Sequence, residues 1–223
     1  VIELSPELLF IMWGAGVAIG TALIVFWRVV GPGYVWLAGG VAAVLAALAA
    51  AAGAGAPAWF AAALVVGATL LAPRPFASGL AFSLGAALLL LAGYEPGLLQ
   101  SALLVTGTML LGGVTSEMLL GHWFLVDPTL ARKPLFDLDE SAALALGGEA
   151  LAILLSGSLA FGGSVLTWVW VALVVLGALL LAGVWFSLRE PRYSGVMAAT
   201  GLSYLAVLVS FGIVTAGRSL VAA

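Results

Sequence analysis

The chain has 223 residues, 64% of them apolar and 8% charged, with a mean hydropathy of +1.26. A water-soluble domain typically carries about 25% charged residues, so the surface of such a domain cannot be assembled from this sequence. A net charge of −3 with no basic cluster offers nothing to nucleic acid, and the absence of cysteine excludes disulfides, thiolate metal sites and thiol redox chemistry.

Long apolar runs separated by short polar punctuation predict an all-α, polytopic integral membrane protein with a single transmembrane domain over residues 1–223. A β-barrel would alternate apolar and polar positions, and runs such as Ala42 to Ala52 do not. Eight spans are predicted near Glu7–Val30, Tyr34–Ala52, Ala58–Ala72, Phe76–Gly93, Leu98–Phe124, Glu140–Phe161, Val165–Leu188 and Gly195–Ala216. Proline or glycine marks nearly every gap, as in Gly31-Pro32-Gly33, Pro73-Arg74-Pro75 and Glu95-Pro96-Gly97. The opening VIELSPELL is acidic and lacks the cationic start of a cleaved signal peptide, so the first helix is expected to be retained.

Basic residues set the expected orientation. With eight spans, Arg28, Arg74, Arg132, Lys133, Arg189 and Arg192 fall on one side and only Arg218 on the other. The positive-inside rule makes the first side cytoplasmic and places both termini outside, in the cytoplasmic (inner) membrane. The aromatic residues Trp27, Tyr34, Trp36, Trp123, Trp185 and Tyr193 then form an inner belt, and Trp59, Tyr94, Trp168 and Trp170 an outer one. The cytoplasmic turns share proline, arginine and an aromatic, which convergence on a common turn chemistry explains without duplication. Gly16 and Gly20 form a GxxxG pair in the first span, read as a helix-packing face.

The stretch from Thr115 to Ala150 holds the only histidine, His122, and two glutamates inside apolar runs, Glu117 and Glu149. Ala142, Ala145, Glu149, Ala152, Ser156 and Gly163 share roughly one helical face, and its small side chains predict that it packs on protein. Glu117 lies on a comparable face with Thr106, Leu110 and Gly113. Glu117 sits about 9 Å inside Trp123, and Glu149 about 13 Å inside Glu140, at 1.5 Å per residue. The two carboxyls are therefore expected at similar depth on neighbouring antiparallel helices.

An acidic residue in mid-membrane costs about 2.5–3.5 kcal/mol on insertion scales. At least one of two adjoining carboxyls is then expected to be protonated or paired with a cation. Glu117, Glu149 and His122 are the expected proton- or cation-binding residues, with His122 relaying protons at the inner mouth. Thr106, Ser156, Ser203 and Ser210 are expected to line the path. The plainer alternatives are a glutamate that merely bonds helices together, hydroxyls that bond back to the i−4 carbonyl, and an interfacial histidine.

No metal is expected: Glu117, His122 and Glu149 show no signature spacing, and a single histidine rules out a bis-histidine haem within one chain. The loop of about residues 125–139 is read as the longest cytoplasmic segment, and its stretch from Asp127 to Glu140 is the expected surface for other membrane subunits. There, Asp127-Pro128 predicts a turn, and Asp137 or Asp139 a cap for the sixth helix.

The leading expectation is a small proton- or cation-linked membrane transporter rather than an enzyme. The alternatives are a membrane-anchor subunit whose carboxyls serve a quinone, and a structural or assembly subunit. A lipid-modifying enzyme ranks last, because no catalytic spacing appears. Membrane lipid is the expected surrounding partner, and no cofactor is called for beyond the quinone of the anchor reading.

Overall fold

The computed structural model describes residues 5–162 and 164–222. These form helices and no strand: α1 Pro6–Trp27, α2 Pro32–Ala49, α3 Gly55–Leu70, α4 Pro75–Ala92, α5 Leu98–Val126, α6 Lys133–Leu155, α7 Val165–Arg189 and α8 Tyr193–Ala222. Each predicted span falls on one helix. Proline in the first turn opens α1, α2, α4 and α6, where its missing N–H costs no hydrogen bond. Ser5 and Ser164 add side-chain caps, accepting from the backbone N–H groups of Leu8 at 3.4 Å and Thr167 at 3.3 Å.

Six stretches are long and apolar enough to cross a membrane: Pro6–Trp27, Pro32–Leu70, Pro75–Ala92, Leu98–Val126, Val165–Arg189 and Tyr193–Ala222. The second of these is folded back on itself. A π-helical turn at Ala50–Ala54 joins α2 to α3, and Gly53 (φ 120°) and Gly55 (φ 77°) take backbone conformations that side chains disfavour. A Cβ on Gly39, early in α2, would strike Thr69, late in α3, so the two rods run antiparallel.

The helices make two similar rings. In the first, α1 packs on α2 and α4, and α3 closes the circuit; in the second, α5 packs on α6 and α8, and α7 closes it. The rings meet where α1 crosses α5, the two most buried of the candidate crossing helices. A Cβ on Gly16 would collide with the Thr108 carbonyl and the Gly112 backbone, and one on Gly20 with Ser116. The pairing advances in the same direction on both chains, so α1 and α5 are parallel. Close backbone approach is what small residues contribute where lipid gives no hydrophobic drive to association. The packing role read for the GxxxG pair is what Gly16 and Gly20 perform, and Trp13 Nε1 pins the same seam by donating to Thr115 Oγ1 at 2.8 Å.

Several sequence expectations are corrected. α6 begins at Lys133, seven residues before the predicted span, because Pro134 starts the helix and Lys133 pairs with Asp137 one turn on, at 2.6 Å. The α5–α6 connection is consequently short. Neither Asp137 nor Asp139 caps α6; its N-cap position is Arg132, without a side-chain cap. The turn at Asp127 does form, with Asp127 Oδ1 accepting from Thr129 N and Oγ1 at 3.2 and 2.6 Å. Tyr34 and Trp170, placed in the expected aromatic belts, are buried among helices, and half-buried Trp123 packs edge-on against Tyr34. Gly163, counted on the Glu149 face, lies outside the described residues.

Arg132 ties the α5–α6 connection to the α7–α8 turn. Its guanidinium donates to the carbonyls of Leu188 at 3.2 Å, Pro191 at 2.7 Å and Arg192 at 3.0 Å, and also to that of Glu190. It thereby satisfies carbonyls that the end of α7 leaves without helical partners.

The seam predicts a contrast between glycines. Gly16→Ala should lower the thermal midpoint of the detergent-purified protein by several degrees, since the new methyl meets backbone. Gly40→Ala, where a Cβ meets nothing within 4 Å, should leave it unchanged or slightly raised by helix propensity.

Candidate functional site

The ionisable groups inside the bundle gather around α5, with Glu117 on α5 itself, Asp139 and Glu149 on α6 and Arg218 on α8, and α5 runs antiparallel to both α6 and α8. Gly113 faces Ala142 on α6, while Gly107 faces Val214 and Gly121 faces Thr200 on α8. This register distributes the polar groups between two levels.

Near the start of α5, Glu149 and Arg218 are buried together, at 0% and 1% exposure. Arg218 Nη1 donates to Glu149 Oε1 at 2.5 Å. Its Nη2 donates to the Leu103 carbonyl and lies 3.6 Å from Met12 Sδ. Thr106 Oγ1 donates to the other Glu149 oxygen at 2.5 Å. A guanidinium stays charged under all ordinary conditions, so in this apolar setting it needs an anion and carbonyl acceptors, and it has both. Arg218 thus holds α1, α5, α6 and α8 at one point.

One turn beyond the Gly113–Ala142 contact, toward the end of α5, lies a different kind of centre. Glu117 and Asp139 are buried, at 1% and 3% exposure, and lie at the same level of the neighbouring helices α5 and α6. Ser203 Oγ donates to Glu117 Oε1 at 3.0 Å. Glu117 Oε2 and Asp139 Oδ1 are buried without any hydrogen-bond partner. Among the described residues, ion pairs join Lys133 to Asp137, Arg192 to Glu190 and Arg218 to Glu149. None reaches Glu117 or Asp139. Two buried acids at one level of neighbouring helices can together hold a proton or a cation.

The expected meeting of Glu117 and Glu149 does not occur. Glu149 lies level with Thr106, about 16 Å along α5 from Glu117 at 1.5 Å per residue. The expectation failed because α6 starts early, which carries Glu149 farther from the α5–α6 connection and brings Asp139 opposite Glu117. His122 is exposed at the end of α5, and Gly121 rather than His122 faces α8. Glu117, His122 and Glu149 do not converge, and the described residues hold no group of three acidic or histidine side chains able to ligate a metal.

The four hydroxyls divide. Thr106 belongs to the Arg218 centre and Ser203 to the Glu117 centre, while Ser210 is buried in α8 between the two levels. Ser156 sits at the end of α6, where it donates to the Ile153 carbonyl at 2.6 Å and closes the helix. It lines neither centre. Back-bonding to the i−4 carbonyl is common, as in Thr200 to Val196 at 2.8 Å, and the single hydrogen of Ser203 is shared between Glu117 Oε1 and the Ala199 carbonyl, each at 3.0 Å.

Two residues escaped sequence reasoning. Arg218 was placed beyond the last helix, but α8 continues to Ala222. Asp139 was assigned to a loop, although Leu135, Ala142, Leu146 and Glu149 repeat with it at helical spacing and could have revealed the shared face.

No family model, curated protein or solved structure matches this chain.

The ion pair at the start of α5 predicts strong coupling. Arg218→Met should destabilise the protein by about 3–5 kcal/mol, because it strands a buried carboxylate. Adding Glu149→Gln should recover much of that loss in a double-mutant cycle read by detergent melting. Additive losses would contradict the pairing.

Proposed function

We propose that the chain is a multi-pass membrane protein that moves a proton or small cation across the bilayer, using Glu117 and Asp139 as the exchanging pair. The observation that carries this reading is the buried carboxyl pair with two unpartnered oxygens and no basic side chain beside it. Ionisable groups at membrane depth are expensive and face interiors or pathways. The Glu149–Arg218 contact accounts for its own charges through mutual neutralisation. The Glu117–Asp139 pair has no such account unless something from outside the chain arrives to share it.

In this scheme Glu117 takes the ion, Asp139 lowers the cost of holding a positive charge there, and Ser203 orients Glu117. Glu149 anchors Arg218 and is not a transport residue. Leu110, Leu111 and Val114 are fully buried between the two levels, so release to the far side requires that apolar layer to part. Such alternation is the ordinary requirement of a carrier.

The proposal extends to topology: all eight helices cross, both termini lie outside, and the membrane is the cytoplasmic (inner) one. Support comes from the six basic residues in alternate connections, from the parallel run of α1 and α5, and from the bonds of Arg132 to the α7–α8 turn. α6 is the least apolar of the eight, with Lys133, Asp137, Asp139, Glu140 and Glu149 along it.

Because the chain lacks cysteine, single introduced thiols report topology directly. Thr129→Cys and Ala160→Cys should react with an impermeant maleimide from opposite sides of the membrane; labelling from one side would refute the crossing of α6. For transport, the protein in liposomes with a trapped pH dye should show ion flux that falls at least about tenfold in Glu117→Gln. Unchanged flux in that variant would overturn the functional proposal.

A further inference from the structure

Between α6 and α7 the second ring is not closely packed. The two helices leave a cleft of about 580 Å³ running from Asp139 and Glu140 to Ala150 on α6, and from Phe186 to Val174 on α7. Small residues make the gap. Gly147 faces open space, where a Cβ would meet nothing within 4 Å, and Ala143 and Ala178 also line the cleft. The walls are otherwise apolar, with Leu146, Leu181 and Trp185 among them.

The only charged side chains lining the cleft are the carboxyls of Asp139 and Glu140, both at one end. Asp139 is buried and its Oδ1 has no partner. Arg189 lies over the rings of Trp185 at 5.3 Å and Phe186 at 5.6 Å, both of which line the cleft, and among the described residues it forms no ion pair with Asp139 or Glu140. A hydrocarbon chain alone would fill the volume and leave the two carboxyls at that end without a counter-charge. A phosphate head would be repelled by the two acids. A neutral quinone offers only acceptors to a carboxylate. A hydrocarbon body with a positive head satisfies the volume, the walls and the acids together.

We propose that this cleft binds a lipophilic organic cation, an amine or onium centre on a hydrocarbon body, with its head at Asp139. The inference rests on the exchange reading above and names the substrate class of that site. Asp139 lies at the level of Glu117, one turn from the Gly113–Ala142 contact, so a cation arriving at Asp139 and a proton held by the pair compete for the same negative charge. One positive charge replaces another, and the site stays balanced. The cleft is a side entrance between helices, which suits a ligand that partitions into the membrane before it binds.

Equilibrium binding of tetraphenylphosphonium to the full chain in phosphatidylcholine nanodiscs tests this without any ion gradient. Saturable binding is expected, weakened about tenfold or more in Asp139→Asn and lost in Gly147→Leu, whose side chain occupies the open space. The anion tetraphenylborate should bind far more weakly than the cation. No saturable binding, equal affinity for the anion, or unchanged affinity in monodisperse Asp139→Asn or Gly147→Leu would overturn the proposal. If binding fails while Glu117→Gln still abolishes proton flux, this inference alone falls. If binding behaves as expected while that flux persists, the exchange role of Glu117 falls and the cleft remains a cation site.

Discussion

A charge inside an apolar bundle has to be matched, and the way each one is matched organises this molecule. Arg218 cannot shed its proton, so it needs Glu149 and a backbone carbonyl, and both are supplied. That requirement fixes α8 against α5 and α6 at a single depth, and Met12 brings in α1. With α8 held there, Ser203 reaches Glu117; with α6 held there, Asp139 faces it. The matched centre thus positions the unmatched one.

The two rings of helices divide the work. Among the described residues of α1–α4, the buried polar groups other than Tyr34 are hydroxyls satisfied within the ring, such as Thr21 to the Val17 carbonyl and Ser78 to the Ala68 carbonyl, at 2.7 and 2.8 Å. Their core is rich in alanine, and close contact between small residues replaces charge as the means of cohesion. The second ring contains all four buried charged groups, Glu117, Asp139, Glu149 and Arg218, together with the open α6–α7 cleft. The first ring is a packed support. The seam of Gly16 against Gly112 transmits that support to α5, on which both polar centres are built.

The fold was largely legible in the sequence, because apolar run length and the proline and glycine breaks are direct physical signals. Each predicted span met a helix, and the faces of Glu117 and Glu149 were correctly read as buried. The site was only half legible. A stretch with lysine, two aspartates and a glutamate looks like a loop by composition, yet Pro134 and the Lys133–Asp137 pair start a helix there. That shift moved Glu149 away from Glu117 and put Asp139 in its place. Arg218 was misread for a related reason: a lone cation near a chain end resembles an interfacial anchor, and only tertiary contacts reveal that an acid is waiting for it. Helix register across a bundle depends on such contacts, which sequence periodicity does not encode.

The central claim is that one buried carboxyl is neutralised by arginine while the pair beside Ser203 is not. Dicyclohexylcarbodiimide, which modifies protonated carboxyls reached through apolar surroundings, distinguishes these states directly. Peptide mass spectrometry after treatment of the membrane-embedded protein should find the adduct on Glu117 or Asp139, with Glu149 protected by Arg218. Modification of Glu149 at a comparable rate, or of Glu149 alone, would contradict the account.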